Sequence, residues 1–260
     1  MKALLLRVLR LLAQVEIHPT RTARALAALP AYLSDWRRFA RDADRPMVPY
    51  PCLTDRQAGA SSLGEYFWQD LFVARRILDA RPRRHVDVGS RIDGFIAHLA
   101  CVREVEVFDI RPLDARIPNV RFRQWDLTEG GPAAPADQVD SLSCLHTLEH
   151  VGLGRYGDRI DVHGWRVALT RLAGLLAPGG RLWLSVPVGR RRVEFNAHRV
   201  FDPREILELA QGLGLARLEF HLCDGAGLPR PVEGDDAVAR IAGGDDALGI
   251  FCFGRADAGA

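Results

Sequence analysis

Arg84-His85-Val86-Asp87-Val88-Gly89-Ser90-Arg91-Ile92-Asp93-Gly94 is the stretch that decides the reading of this chain. It passes from a short apolar strand through an acidic residue and a glycine turn into an apolar helix starting near Ile92. Such a loop sets a helix N-terminus at the carboxyl edge of a sheet, where α/β proteins hold nucleotides. Further along, Asp109 closes a second strand, Val105-Glu106-Val107-Phe108. A carboxylate at that spacing can accept hydrogen bonds from both hydroxyls of a ribose. Turn and acid together indicate an adenosine-type ligand.

The same loop argues against a dinucleotide. In a G-x-G-x-x-G fingerprint the middle glycine lets a pyrophosphate approach the backbone. Here the three positions are Gly89, Arg91 and Gly94, and the arginine would crowd a pyrophosphate. S-adenosylmethionine (SAM) has none and suffers less. A nicotinamide-dependent oxidoreductase is therefore the weaker alternative.

Alternation continues downstream. Strands are expected at Arg84–Val88, Glu104–Asp109, Val120–Gln124, Gln138–Cys144, Gly180–Val186, Ala216–His221 and Leu248–Phe253. Helices are expected at Leu63–Ala80, Ile92–Ala100, His163–Leu176 and Pro203–Leu213. This order predicts one mostly parallel, seven-stranded sheet with crossover helices on both faces. Ala177-Pro178-Gly179-Gly180 reads as a helix stop and turn. Val232 to Asp246, rich in Gly and Asp, reads as an exposed loop. The last strand is expected to be antiparallel, because that loop offers no convincing crossover helix.

With 260 residues and 48% hydrophobic content, the chain can bury one large core. A net charge of +2 gives no broad basic field for nucleic acid. Five scattered cysteines without a C-x-x-C pair read as thiols in a reducing, cytoplasmic compartment. Pro46, Pro49 and Pro51 mark a linker across Arg45–Asp55. The division expected is thus a helical extension, 1–52, and a main domain, 53–260. In the extension, Leu4, Leu5, Val8, Leu9, Leu11, Leu12 and Val15 share one helical face, with Arg7 and Arg10 opposite. A second helical stretch is read at Ala31–Ala43. The apolar face must meet the domain, a second subunit as a homo-oligomer, or lipid as a peripheral contact. The thin basic face and the lack of a lipidation motif favour protein.

The ordered residues resemble a class I SAM-dependent methyltransferase. The likeness is carried by Val86-Asp87-Val88-Gly89-Ser90, by Asp109, and by Trp125-Asp126-Leu127. Val139 to His150 and Leu175-Leu176-Ala177-Pro178-Gly179-Gly180-Arg181-Leu182 extend it. More narrowly, the chain resembles a methyltransferase-like family known as domain of unknown function 268. That likeness rests on Asp87–Ile92, Phe108–Leu113, His146–Asp158 and Asn196–Phe201. The resemblance implies a Rossmann-like sandwich and SAM as cofactor. It places Asp87 and Gly89 near the methionine half of SAM, Asp109 on the ribose, and Asp126 with the Leu127 N–H on the adenine, with Ser90 and Leu145 also at the cofactor.

Methyl transfer to a hydroxyl needs positioning and a base. His146 and His150, with Glu149 between them, are the candidates, and His163 and His198 are the others, with Asp158 and Glu194 as orienting acids. Arg190 and Arg191 follow the fifth strand and could clamp an anionic acceptor. The function expected is O-methylation of a small molecule, sugar or glycan. A non-catalytic SAM-binding partner protein is the alternative. His146-Thr147-Leu148-Glu149-His150 also matches the zinc signature H-x-x-E-H, but that motif needs an established helix, and here it follows a strand.

Overall fold

The structure, a computed structural model, describes residues 18–42, 45, 47–53, 63–129 and 138–256. The expected helix at Met1–Val15 lies outside them. The chain divides into two units, residues 1–62 and 63–260. In the first, α1 spans Pro19–Phe39, starting earlier and ending sooner than the Ala31–Ala43 reading. Proline at its first turn lacks the N–H that would be unpaired there anyway, which favours an early start.

The second unit carries the sheet. After α2 (Glu65–Ala80) come β1 (His85–Val88), a π-helical turn at Ile92–Ile96, and α3 (Ala97–Ala100). Next are β2 (Val105–Asp109), β3 (Val120–Gln124), β4 (Val139–Leu145), α4 (Gly164–Leu175) and β5 (Leu176–Val188). A small ribbon of β6 (Arg192–Glu194) and β7 (His198–Val200) precedes α5 (Pro203–Gly212) and β8 (Leu215–Cys223). β9 (Arg230–Pro231), α6 (Asp235–Gly243) and β10 (Ala247–Arg255) complete the chain.

The strand order is β3-β2-β1-β4-β5-β10-β8-β9. Without the two-residue edge strand β9, this is the class I methyltransferase order, with the last strand slotted antiparallel between β5 and β8. Two details correct the sequence reading. Val232–Asp246 is not all loop, since α6 forms within it and buries Val238. Gly and Asp density hid that short amphipathic pattern, although Asp235 and Asp236 suit a helix N-terminus. The connection still begins and ends at the same sheet edge, so β10 is antiparallel. Second, the Ala177–Gly180 turn is a bulge inside β5, where the register against β4 shifts and Gly179 takes φ 71°.

The period-two alternation of strands feeds two cores. Leu182, Leu184, Val186, Phe251 and Phe253 pack with Trp165, Leu169 and Leu172 of α4 and Ile206 of α5. Trp183, Ile250 and Cys252 face the other way, with Val73 and Ile77 of α2 and Phe95, Ile96 and Leu99. The sheet is thereby fixed between helical layers, and its carboxyl edge is left for loops.

Candidate active site

The loops at that edge enclose a cavity of about 320 Å³, within the range of small-molecule pockets. One part of its wall holds Gly89, Asp109, Asp126 and Leu127. Another holds Tyr66, His146, Glu149 and His150.

Gly89 sits at φ 77°, and its N–H donates to the Phe108 carbonyl at 2.8 Å. A Cβ there would come within 2.5 Å of Thr147 Cγ2. Gly89→Ala is therefore expected to cost about 1–2 kcal/mol from the left-handed backbone alone, and more from the Thr147 clash. A urea melt checks this, and an unchanged midpoint would contradict it.

Asp87, Ser90 and Leu145 do not line the cavity; they stand behind it and hold the loop. The fully buried Asp87 accepts hydrogen bonds from the Ser90 N–H at 3.0 Å, the Ser90 hydroxyl at 2.6 Å and the Ser143 hydroxyl at 2.5 Å. The Leu145 N–H donates to Ser90 Oγ at 3.0 Å. Burial pushes the Asp87 carboxyl up to about 7, against the pull of the serine hydrogen bonds. His85 extends this polar seam, with Nε2 3.1 Å from Ser143 Oγ and Nδ1 2.8 Å from Ser141 Oγ. Burial holds His85 down to about 3, so it is neutral.

Asp109 occupies the predicted place at the end of β2, and its carboxylate is engaged. The Arg111 N–H and Nε donate to Oδ1 at 2.8 and 3.0 Å, and Nη2 donates to Oδ2 at 2.7 Å. The guanidinium also lies 4.7 Å from the centre of the Tyr156 ring. Asp126 uses Oδ1 for the Thr128 N–H and hydroxyl, both at 2.7 Å. Trp125 Nε1, beside them in the wall, is buried without a partner among the described residues.

His146 follows β4 in the left-handed region, φ 51°. Its N–H donates to the Ser185 carbonyl and Oγ, each at 3.1 Å. The Ser185 hydroxyl in turn donates to Gln69 Oε1, so α2 braces the kink. The imidazole stacks on Tyr66, with ring centres 4.3 Å apart, and its Nδ1 lies 2.8 Å from Glu149 Oε1. Burial opposes charge on both partners, but their mutual hydrogen bond and attraction win. His146 is held above the usual histidine range and Glu149 below the usual carboxylate range. Both shifts favour the charged forms of the pair. His146 Nε2 and Glu149 Oε2 are both buried without a partner among the described residues, in residues that line the cavity.

His150 differs. Its Nδ1 donates to the Ala197 carbonyl at 2.7 Å, which leaves a lone pair on Nε2, 3.7 Å from Glu149 Oε1. Burial lowers its pKa, outweighing the Glu149 charge. His198 also lines the cavity, with Nε2 3.8 Å from Glu194 Oε2. Arg190, Arg191 and Glu194 do not line it. Arg191 pairs with Glu205 at 3.1 Å, Arg190 donates to the Gly243 carbonyl at 3.3 Å, and Glu194 meets Arg192 at 2.9 Å. No group of three metal-ligating side chains that could hold an ion occurs among the described residues.

Sequence reasoning missed Tyr66, Arg111 and Tyr156. Tyr66 belongs to a helical rhythm that reads as core, and no local motif marks it. For Arg111, the two-residue spacing after Asp109 was the available signal.

Fold and strand-edge geometry define a class I SAM-dependent methyltransferase-like architecture. Residues 133–216 match the family described as Caenorhabditis protein of unknown function, DUF268. The match takes in the His146–Asp158 and Asn196–Phe201 stretches and leaves Asp87–Ile92 and Phe108–Leu113 outside. No curated protein matches the chain. Among solved structures, it is similar to the N-methyltransferase NodS from Bradyrhizobium japonicum WM9. Identity is 14% and the TM-score 0.51, over 74% of this chain and 97% of that one. It is similar also to a Burkholderia thailandensis 1,6-didemethyltoxoflavin-N1-methyltransferase, with 16% identity and a TM-score of 0.51 over 89% of each chain. A Clostridium acetobutylicum S-adenosylmethionine-dependent methyltransferase aligns with 10% identity and a TM-score of 0.50, over 85% of this chain and 99% of that one. At such identities the likeness is one of fold.

Proposed function

We propose that this protein is a SAM-dependent methyltransferase that O-methylates a hydroxyl-bearing small molecule, sugar or glycan. The observation that carries this reading is a shared cavity. The nucleotide-type set Gly89, Asp109 and Asp126 and the part-buried His146–Glu149–His150 set line the same space. The residues fit the cofactor. Trp125 Nε1, His146 Nε2 and Glu149 Oε2 are buried without partners among the described residues, in residues that line the cavity.

Bound SAM supplies an electrophilic methyl group. Asp109 would hold the ribose hydroxyls, while Asp126 and the Leu127 N–H hold the adenine edge. Arg111 already fills three of the roughly four acceptor positions of the Asp109 carboxylate, so it must yield at least one. His150 Nε2, with its free lone pair, takes the acceptor's proton. The imidazolium formed lies beside Glu149, whose charge stabilises it. Protonated His146 offers Nε2–H to the acceptor oxygen and orients it.

The pH dependence follows from these roles. Activity rises as His150 loses its proton, which happens below the ordinary 6.5, because burial lowers its pKa. It falls as His146 loses its proton, which happens above 6.5. A bell in kcat/KM that rises below 6.5 and falls above it is expected, and a flat profile would contradict these assignments. The direct test incubates the protein with methyl-labelled SAM and a cell extract, then separates glycan and lipid fractions. Label in a hydroxyl-bearing product that His150→Gln abolishes supports the reading. SAM binding without any transfer would favour a non-catalytic partner protein.

A further inference from the structure

We propose that α1 lies on an anionic lipid surface and attaches the chain to it. No residue of α1 is buried, and it carries large apolar side chains in the open, Leu26 at 64% exposure and Phe39 at 69%. Wound at about 3.6 residues per turn, Leu26, Leu29 and Leu33 form one exposed stripe, which Arg37 continues one turn on, with Arg41 just beyond the helix end. Tyr32 and Trp36, 6.2 Å apart, sit on the other margin, half-buried. An exposed apolar stripe ending in arginine is the pattern of a helix lying in the headgroup layer.

Charge selects the occupant. The first 42 residues hold eight of the chain's 35 Lys and Arg but three of its 33 Asp and Glu. The remainder is net acidic, so attraction to an anionic surface has to come from this segment. A parallel second copy packed stripe to stripe would bring Arg37 against its own counterpart, which is repulsive. The leucine stripe spans only about one heptad, short for a stable coiled coil. Anionic headgroups complement those arginines and leave the leucines in the acyl boundary. The helix lies on the surface and does not span it. Pro30 interrupts its ladder, and no described helix is long and apolar enough to cross a membrane.

The test is flotation of the full chain with vesicles of phosphatidylcholine alone, and of phosphatidylcholine mixed with phosphatidylserine. The chain should float with the mixed vesicles only, and added salt should release it. Leu26→Ser with Leu29→Ser and Leu33→Ser should reduce the bound fraction about tenfold or more, as should Arg37→Glu with Arg41→Glu. Thermal melting of the full chain should be unchanged in both variants, which separates lost binding from lost folding. Equal flotation on neutral vesicles, or none on either, would overturn the proposal. So would a dimer, seen by sedimentation, that the leucine variant breaks while the wild type ignores lipid.

Discussion

Glu149→Ala is expected to lower stability by about 3–5 kcal/mol, because it breaks a buried ion pair and leaves the other charge behind. Glu149 is 1% exposed, and its Oε1 lies 2.8 Å from His146 Nδ1, which has no other partner there. Denaturant melts at several pH values check the result. The acid's folded pKa is depressed, so its contribution is fully present above its ordinary 4.5 and fades as pH falls through the folded value. The histidine's is raised, so its contribution is present below 6.5 and is lost as pH climbs through the folded value. The gap between wild type and variant should therefore be widest between 4.5 and 6.5 and narrow on either side. Glu149→Gln, which retains an acceptor oxygen, should lose less. A pH-independent gap would show that packing, rather than charge pairing, holds the residue.

Asp109→Ala should weaken SAM binding by about 1–3 kcal/mol, about five- to 150-fold, through the loss of charge-assisted hydrogen bonds to the ribose. The side chain stands at the end of β2 with its carboxylate on Arg111, so its removal also frees a guanidinium in the wall. Arg111→Ala separates the two effects. It leaves the carboxylate in place and removes its competitor, so affinity should hold or rise. Calorimetric titration of both variants with S-adenosylhomocysteine reads the difference. Equal weakening by the two substitutions would mean that the arginine, not the acid, holds the ligand.

The sheet was legible because its strands are short, apolar and regularly separated, and because a glycine turn with a spaced acid marks β1 and β2. Parallel strands buried on both faces leave little alternative. The α6 helix was not legible, since its apolar residues are few and its Gly and Asp neighbours are also loop residues. Within the site, Gly89, Asp109, Asp126, His146 and His150 could be placed because strand ends carry them to one edge. Asp87 and Ser90 were legible as members of the loop. Their side-chain direction was not, because it depends on Ser143 arriving from β4. Tyr66 reaches His146 only through the docking of α2, a tertiary contact that no local spacing encodes. Arg190 and Arg191 looked available beside β5. Their partners, Gly243 and Glu205, lie on helices later in the chain.

Calorimetric titration of the full chain with SAM, set beside a titration with a nicotinamide dinucleotide, tests the central claim most directly. Saturable heat with SAM, and none with the dinucleotide, is the result expected from a strand-edge cavity whose glycine loop carries Arg91 in place of a second glycine. Binding of the dinucleotide with no heat from SAM would contradict it and assign the cavity to hydride chemistry.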